Sequence, residues 1–450
     1  MKGTFFNWRV AIGAVVLFAG GFFRADAQST NDSVYPIDLP ATLRLVGARN
    51  LDIQIARARL DEARANRESA VEQFFPWIAP GVTYHRRDGL AQAVPSGVIS
   101  AAHFDSYSPG ATLTGQIPLG DAIYHSLAAK QLVKASDQAL ETQREDAILA
   151  GAQAYFELVK ARALVEVVQQ AMQISRDYQQ ELHAAVAAGI AYRGDELRVQ
   201  TQTEEYQISV QQALERERVA GVELSQILHL DPRIILAPQD KGLEAITLVP
   251  TNSVLNHLVE QALRLRPELK QSQASMAAAR ATKNGALYGP LIPSLGAQVY
   301  GGGLGGGPDN GPSNFGAEED YTVGASWRIG PGGLFDVGRV HTSKAQLAAA
   351  ELSDAKLQDT VVADVVASLA RMDSTAAQIQ LAESHLNTAD ESFRLARERK
   401  EYGVGIVLED LLAQQALTQA RSAYVTATAD YNKAQYALHK AIGGLADESK

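Results

Sequence analysis

Few residues of this 450-residue chain are of a type and spacing that could do chemistry. Gly301-Gly302-Gly303-Leu304-Gly305-Gly306 satisfies G-x-G-x-x-G, the spacing with which a strand-to-helix turn cradles phosphate, but Pro308-Asp309-Asn310-Gly311-Pro312 stands where that helix would have to start. The run reads instead as an exposed loop. Nine histidines are scattered without an H-E-x-x-H pair, and the four methionines include the initiator, so no metal or other cofactor is expected. Cysteine is absent, which excludes disulfides, thiolate nucleophiles, Cys-ligated zinc and a lipidated N-terminal cysteine. No Ser or acidic residue stands in a recognisable nucleophile elbow or catalytic set, which argues against an enzyme. What remains are carboxylates just after two glycine turns: Asp195 after Gly189, and Glu409 with Asp410 after Gly403. Their plain reading is an N-cap on a starting helix.

The elements that position those turns are long. From 339 to 402 there are 64 residues without Gly or Pro, and from 121 to 188 only Gly151 interrupts. A helix of that length reaches about 96 Å. Small or apolar residues at Leu132, Ala135, Ala139, Ile148, Ala152, Tyr155, Val159 and Ala163 step by three and four, as in a coiled-coil seam, so the helix must pack laterally on others. Shorter helical stretches at 51–74 and 195–231, of 24 and 37 residues, would lie end to end beside one long helix. Between them, 321–330 alternates apolar with polar residues, as does 111–117, and weaker partners stand near 80–85 and 295–301. That makes two hairpins, with an outward loop at 88–104 in the first.

The whole plan occurs twice. Asn50-Leu51-Asp52-Ile53 aligns with Arg266-Pro267-Glu268-Leu269 at an offset of 216, and Gly189, Asp195, Leu197 and Leu224 align with Gly403, Glu409, Leu411 and Leu438 at 214. The expected organisation is a signal peptide at 1–27, a first helix-strand-strand-helix-helix repeat at 28–231, a linker at 232–251 around the waist, a second repeat at 252–443 and a tail at 444–450. The signal rests on Lys2 and Arg9, an apolar run of 14 residues at 10–23, and Ala25-Asp26-Ala27; the run falls short of the about 20 residues that span a bilayer. A net charge of −10 argues against nucleic acid. With no later apolar run of membrane-spanning length, residence in a membrane requires a β-barrel. Four strands per chain cannot close one, because the smallest membrane barrels have about eight. Two copies give 8 strands and three give 12. Tyr84, Tyr107, Tyr321 and Trp327 are candidate anchors at the membrane interface.

These features resemble the TolC-like outer membrane efflux protein family. The resemblance rests on Arg266-Pro267-Glu268-Leu269 with Pro293-Ser294-Leu295, on Gly332-Gly333-Leu334-Phe335-Asp336-Val337-Gly338-Arg339, and on Tyr402-Gly403-Val404-Gly405 through Leu411-Leu412-Ala413-Gln414. It implies a mainly α fold with a membrane β-barrel portion, in which a homotrimer forms a 12-stranded barrel in outer-membrane lipid and a long helical barrel across the periplasm. It also implies a passive exit duct of a tripartite efflux or type I secretion system, meeting a periplasmic adaptor and an inner-membrane pump at its lower tip. Gly189, Ile190, Gly403 and Gly405 would form the adaptor-contact tips. Asp195 matches the family's latching aspartate, Tyr402 its tyrosine partner, and Glu409 and Asp410 its constricting acids. The latch arginine falls at Ile406 or Val407 here, and Arg193 is the candidate substitute. The competing expectations are a periplasmic adaptor with helical hairpins and a helical scaffold without a pore.

Overall fold

The structure, a computed structural model, describes residues 34–92, 97–239, 242–250, 253–308, 315–402 and 405–445. The expected signal peptide, Gly403, Val404 and residues 446–450 of the tail lie outside the described residues.

After a short strand β1 (Val34–Ile37), Asp38 caps helix α1 (Leu39–Arg49) by accepting from the Ala41 amide at 2.7 Å. Asn50 then caps α2 (Leu51–Glu72), accepting from Asp52 at 2.9 Å and Ile53 at 3.3 Å. A hairpin of β2 (Trp77–Gln92) and β3 (Ile99–Pro118) leads into α3 (Leu119–Ala187), which turns into α4 (Arg193–Ile227). Strand β4 (Ile235–Pro238) opens the connection to the second set: α5 (Leu255–Leu265), α6 (Pro267–Tyr288), β5 (Ser294–Pro308), β6 (Gly316–Ser326), α7 (Val337–Glu401) and α8 (Val407–Ala441). The pairing is close in length: α1 and α5 have 11 residues, α2 and α6 have 22, and α4 and α8 have 35.

The 69 residues of α3 extend about 104 Å at 1.5 Å per residue. Along that length α3 packs against α2 and α4 of its own set and against α6 and α8 of the other, while α7 packs against α5, α6 and α8. The core between them is narrow and rich in alanine. Ala147, Ala152, Ala161 and Ala220 interleave with Ile148, Tyr155, Leu158 and Leu224, and small side chains let the helix backbones approach. No helix among the described residues is long and apolar enough to cross a membrane.

The connection between the sets is tied down rather than loose. β4 pairs in parallel with β1, and buried amides on α8 hold the chain beyond it. Asn432 accepts from the Ile246 amide at 2.8 Å and donates to the Glu244 carbonyl at 2.8 Å. Gln435, fully buried, accepts from the amides of Leu248 at 3.1 Å and Val249 at 2.9 Å. Replacing Gln435 with Leu leaves two backbone N–H groups without a partner, at about 1–3 kcal/mol each. The expected outcome is a lower urea midpoint together with new protease cleavage near Leu248, and an unchanged cleavage pattern would show that the strap does not depend on Gln435.

The four long strands form one antiparallel sheet in the order β2-β3-β5-β6, so the two hairpins join edge to edge and, among the described residues, the outer edges of β2 and β6 have no partner strand. Because successive residues point to opposite faces, the registers assign every side chain. One face carries Ile78, Val82, Tyr84, Leu113, Tyr107, Val299, Tyr321 and Val323. The other carries Thr83, His85, Thr112, Thr114, Gln298, Asp320 and Thr322. The apolar face lies open, with Val323 exposed to 85%.

Three sequence expectations are corrected here. The loop anticipated at 88–104 is strand up to Gln92 and again from Ile99. The glycine run 301–306 lies within β5 rather than in a loop. Its missing side chains make room for rings: a Cβ at Gly303 would lie 2.2 Å from the Phe315 ring, and one at Gly305 2.5 Å from Tyr107. Those rings stack over the glycines with centroids 5.9 Å apart. Finally, β6 stops at Ser326, so Trp327 stands beyond the strand, where its indole N–H donates to the Leu291 carbonyl at 3.2 Å.

Candidate gate at the helix tips

The tips are built by how α3 and α7 end. At the end of α3, Gly189 takes φ +73°, the left-handed conformation that costs glycine least. Its amide bonds to the Val186 carbonyl at 3.0 Å and the next amide, of Ile190, to Ala185 at 2.9 Å, the paired bonds of a Schellman stop. Ile190, Tyr192, Tyr402, Ile406 and Leu408 are exposed around the two turns. Gly405 sits under the end of α7, its amide bonded to the Arg399 carbonyl at 2.9 Å.

The carboxylates are not N-caps, contrary to the plain reading of their positions. The N-cap residues are Tyr192 for α4 and Ile406 for α8, neither of which caps through its side chain. Asp195, Glu409 and Asp410 lie within the first turn instead, where they face the positive end of the helix dipole.

The chain settles which of the two acids on α8 is covered. Asp410 is 6% exposed, whereas Glu409 is half-buried and pairs with Arg399 at 2.8 Å. Asp195 pairs with Arg198 on its own helix at 2.9 Å. Arg193 reaches Glu196 at 3.9 Å, and Glu196 also meets His183 across the first hairpin at 2.7 Å. Tyr402 is 83% exposed, and among the described residues no hydrogen bond joins it to Asp195.

A different set of residues joins the two hairpins. Lys400, in the last turn of α7, places its Nζ 3.0 Å from Glu181 on α3 and 3.5 Å from the centroid of the Tyr178 ring. Beneath it, Tyr178, Leu182, Val199 and Leu411 form an apolar cluster drawn from α3, α4 and α8. The Asp410 carboxyl and the Tyr178 hydroxyl both enter this cluster, with Asp410 Oδ1 and the Tyr178 oxygen buried and lacking a hydrogen-bond partner. Burial pushes the Asp410 carboxyl above the usual carboxylate range, against the opposing pull of Lys400 and Arg397. Burial, and then the charges of Asp410, Asp195 and Glu181, push the Tyr178 phenol upward. Toward the waist, α8 continues to bond across: Gln414 donates to the Ala171 carbonyl at 2.9 Å and Arg421 to Gln170 at 3.3 Å.

Sequence reasoning passed over Lys400, Tyr178 and Glu181. The available signal was a basic last turn on α7, Arg399 with Lys400, and a Tyr and a Glu one turn apart on α3. Nothing local tells that these turns meet.

Comparison with known proteins agrees with this architecture. The chain resembles a membrane protein from Pseudomonas aeruginosa (TM-score 0.78, 18% identity, 90% of each chain covered). It likewise resembles the CmeC outer membrane channel of Campylobacter jejuni (TM-score 0.77, 18% identity, 90% of this chain and 85% of that one). A third likeness is to the outer membrane protein VceC of Vibrio cholerae (TM-score 0.73, 16% identity, 90% and 96%). At these identities the likeness is one of fold. No curated protein matches the sequence. The model of one family, outer membrane efflux protein, matches residues 42–228 and again 258–444, two segments that together take in most of the chain. The chain belongs to the outer membrane efflux protein family.

Proposed function

We propose that three copies of this chain close a 12-stranded barrel in the outer membrane, continuous with a helical tunnel in the periplasm, and that the assembly is the exit duct of a tripartite efflux or type I secretion system. The observation that carries this reading is the sheet: among the described residues it has four strands, one face apolar and open, the other polar, and both outer edges unpaired. In lipid an unpaired edge costs several kcal/mol for each backbone group, so neighbouring copies must supply the partners. Three copies leave a lumen lined by Thr112, Thr114, Gln298, Asp320 and Thr322. Tyr84, Tyr107 and Tyr321 share the lipid face, and Trp327 stands at its inner rim.

The duct has no chemistry of its own and is controlled at its tips. Glu409, the more exposed acid on α8, is the residue that threefold symmetry turns into a ring, and Asp195 in the first turn of α4 forms a second one. Asp410, covered within its own chain beside Lys400 and Tyr178, acts on the contact that joins the two hairpins rather than on the lumen. Gly189, Ile190 and Gly405 present the surface that an adaptor's hairpins would meet, and the inner-membrane pump lies beyond the adaptor. The adaptor alternative requires β-sandwich or lipoyl-like domains flanking one helical hairpin, and the scaffold alternative requires strands packed internally; two duplicated sets joined in one sheet with an open apolar face speak against both.

The test is reconstitution of the full-length protein into planar lipid bilayers. Discrete conductance steps are expected. Vesicles that take up the protein without conductance would reject the duct.

A further inference from the structure

In the half of α3 nearer the sheet lies a carboxyl group that the channel reading does not use. Glu145 is 1% exposed, and among the described residues neither of its oxygens has a hydrogen-bond partner. It sits where the two halves of the chain meet, against the start of α6 and the end of α8. The charged groups around it are already engaged with others. Arg266, buried at the break between α5 and α6, donates through Nη2 to Glu268 at 3.1 Å and through Nη1 to Asp364 on α7 at 3.2 Å. Lys440 on α8 pairs with Asp146, the neighbour of Glu145 on its own helix. His439, next to Lys440, has its Nδ1 buried and unpartnered. Four carboxylates thus face two full cations, Arg266 and Lys440, and both cations are taken.

We propose that Glu145 is a proton-binding site that couples the seam between the two halves to the pH of the surrounding compartment. An ionised carboxylate with no partner is far costlier to bury than a neutral acid. The neutral acid is therefore the form that fits this seam. Burial first, and then the charge of Glu268, push the Glu145 carboxyl up to about 7, with Lys440 and Arg266 opposing and Asp146 adding to the rise. A group held above its unfolded value contributes stability that is whole below the ordinary carboxylate range and lost as pH climbs to about 7. Above that the anion competes for Arg266 or Lys440. To gain Arg266 it must draw the guanidinium from Asp364, loosening the α6 corner from α7. Because α3 runs unbroken from the sheet to the tip, a change in its seating at this seam is transmitted along the wall.

The test uses the full-length protein in detergent micelles at pH 5.5 and 8.5. Infrared difference spectra of the wild type should show a protonated-carboxyl band lost near neutral pH, and Glu145→Gln should lack it. Hydrogen exchange of amides around Glu145 and Arg266, corrected for intrinsic rates, should speed up by about tenfold or more between those pH values in the wild type, since each pKa unit is a factor of about ten in the coupled equilibrium. In Glu145→Gln, which mimics the neutral acid, protection should be independent of pH. A carboxyl that titrates in the ordinary range, or a variant with the wild-type pH dependence, would overturn the proposal. Should the variant fail to fold, the infrared titration is repeated in Asp410→Asn, which removes the other buried carboxyl held above the usual range, and a band that persists there and is lost near neutral pH decides for Glu145. Conductance does not enter, so this result is separable from that of the duct.

Discussion

Lys400→Met should raise the current through the resting channel in a planar bilayer by tenfold or more. The side chain contributes an ion pair to Glu181 and a cation over the Tyr178 ring, and these tie the end of α7 to α3. A partly exposed ion pair is worth about 0.2–1 kcal/mol and a cation over a ring about 0.5–2 kcal/mol. Removing Lys400 also takes from the buried Asp410 the strongest charge that favours its ionised form. A total of about 2 kcal/mol per chain, acting in each chain of the proposed trimer, shifts the balance between shut and open tips by a factor on the order of ten or well beyond, at about 1.4 kcal/mol per factor of ten. Glu181→Gln and Tyr178→Leu separate the two contributions, each giving part of the increase. Single-channel recording reads all three variants. An unchanged resting current in Lys400→Met would show that the hairpins are held by something else.

The second large effect concerns the junction between sheet and helices. Gly120, in the first turn of α3, lies so close to the 3₁₀ turn Gly289–Leu291 after α6 that an added Cβ would stand 2.0 Å from the Gly289 carbonyl oxygen and 2.7 Å from its Cα. These are backbone atoms, so no rotamer change relieves the clash, and the exit from the first hairpin must separate from the entrance to the second. Asp121 and Arg339, which pair across the same junction, would be drawn apart with them. Overpacking of a tight site costs about 1–3 kcal/mol. Gly120→Ala should therefore lower the melting temperature and the yield of assembled protein. Gly47→Ala, where nothing lies within 4 Å of the added Cβ, should be neutral or stabilising by up to about 1 kcal/mol. Differential scanning calorimetry of both variants in micelles checks the pair, and equal melting temperatures would refute the close-approach account of Gly120.

How much of this was legible in the sequence follows from which signals are local. The long helices were readable because 64 residues without Gly or Pro leave few alternatives, and α7 covers 65. Tyr321 through Ser326 alternates cleanly, so β6 was visible; β5 was half hidden, because glycine normally punctuates and the rings that fill its gaps come from Tyr107 and Phe315 elsewhere in the chain. The pairing of β1 with β4 escaped notice, since four residues joined in parallel to four others about 200 positions away carry no periodic pattern. Helices α1 and α5 were missed for a similar reason, being short and directly followed by the longer α2 and α6. At the tips, types and spacing located the turns, but Asp195, Glu409 and Asp410 were read one position class off because a first-turn acid and an N-cap acid look alike without dihedral angles. The Lys400 clamp depends on which turn of α3 faces α7, a fact of packing across the two halves.

The central claim is that one chain is an incomplete wall that its copies finish. Native mass spectrometry of the particle released from outer membranes in mild detergent tests it most directly. The expected mass is that of three chains, with no stable single-chain species. A particle of one chain, recovered intact and folded from the membrane or from aqueous extract, would contradict the account.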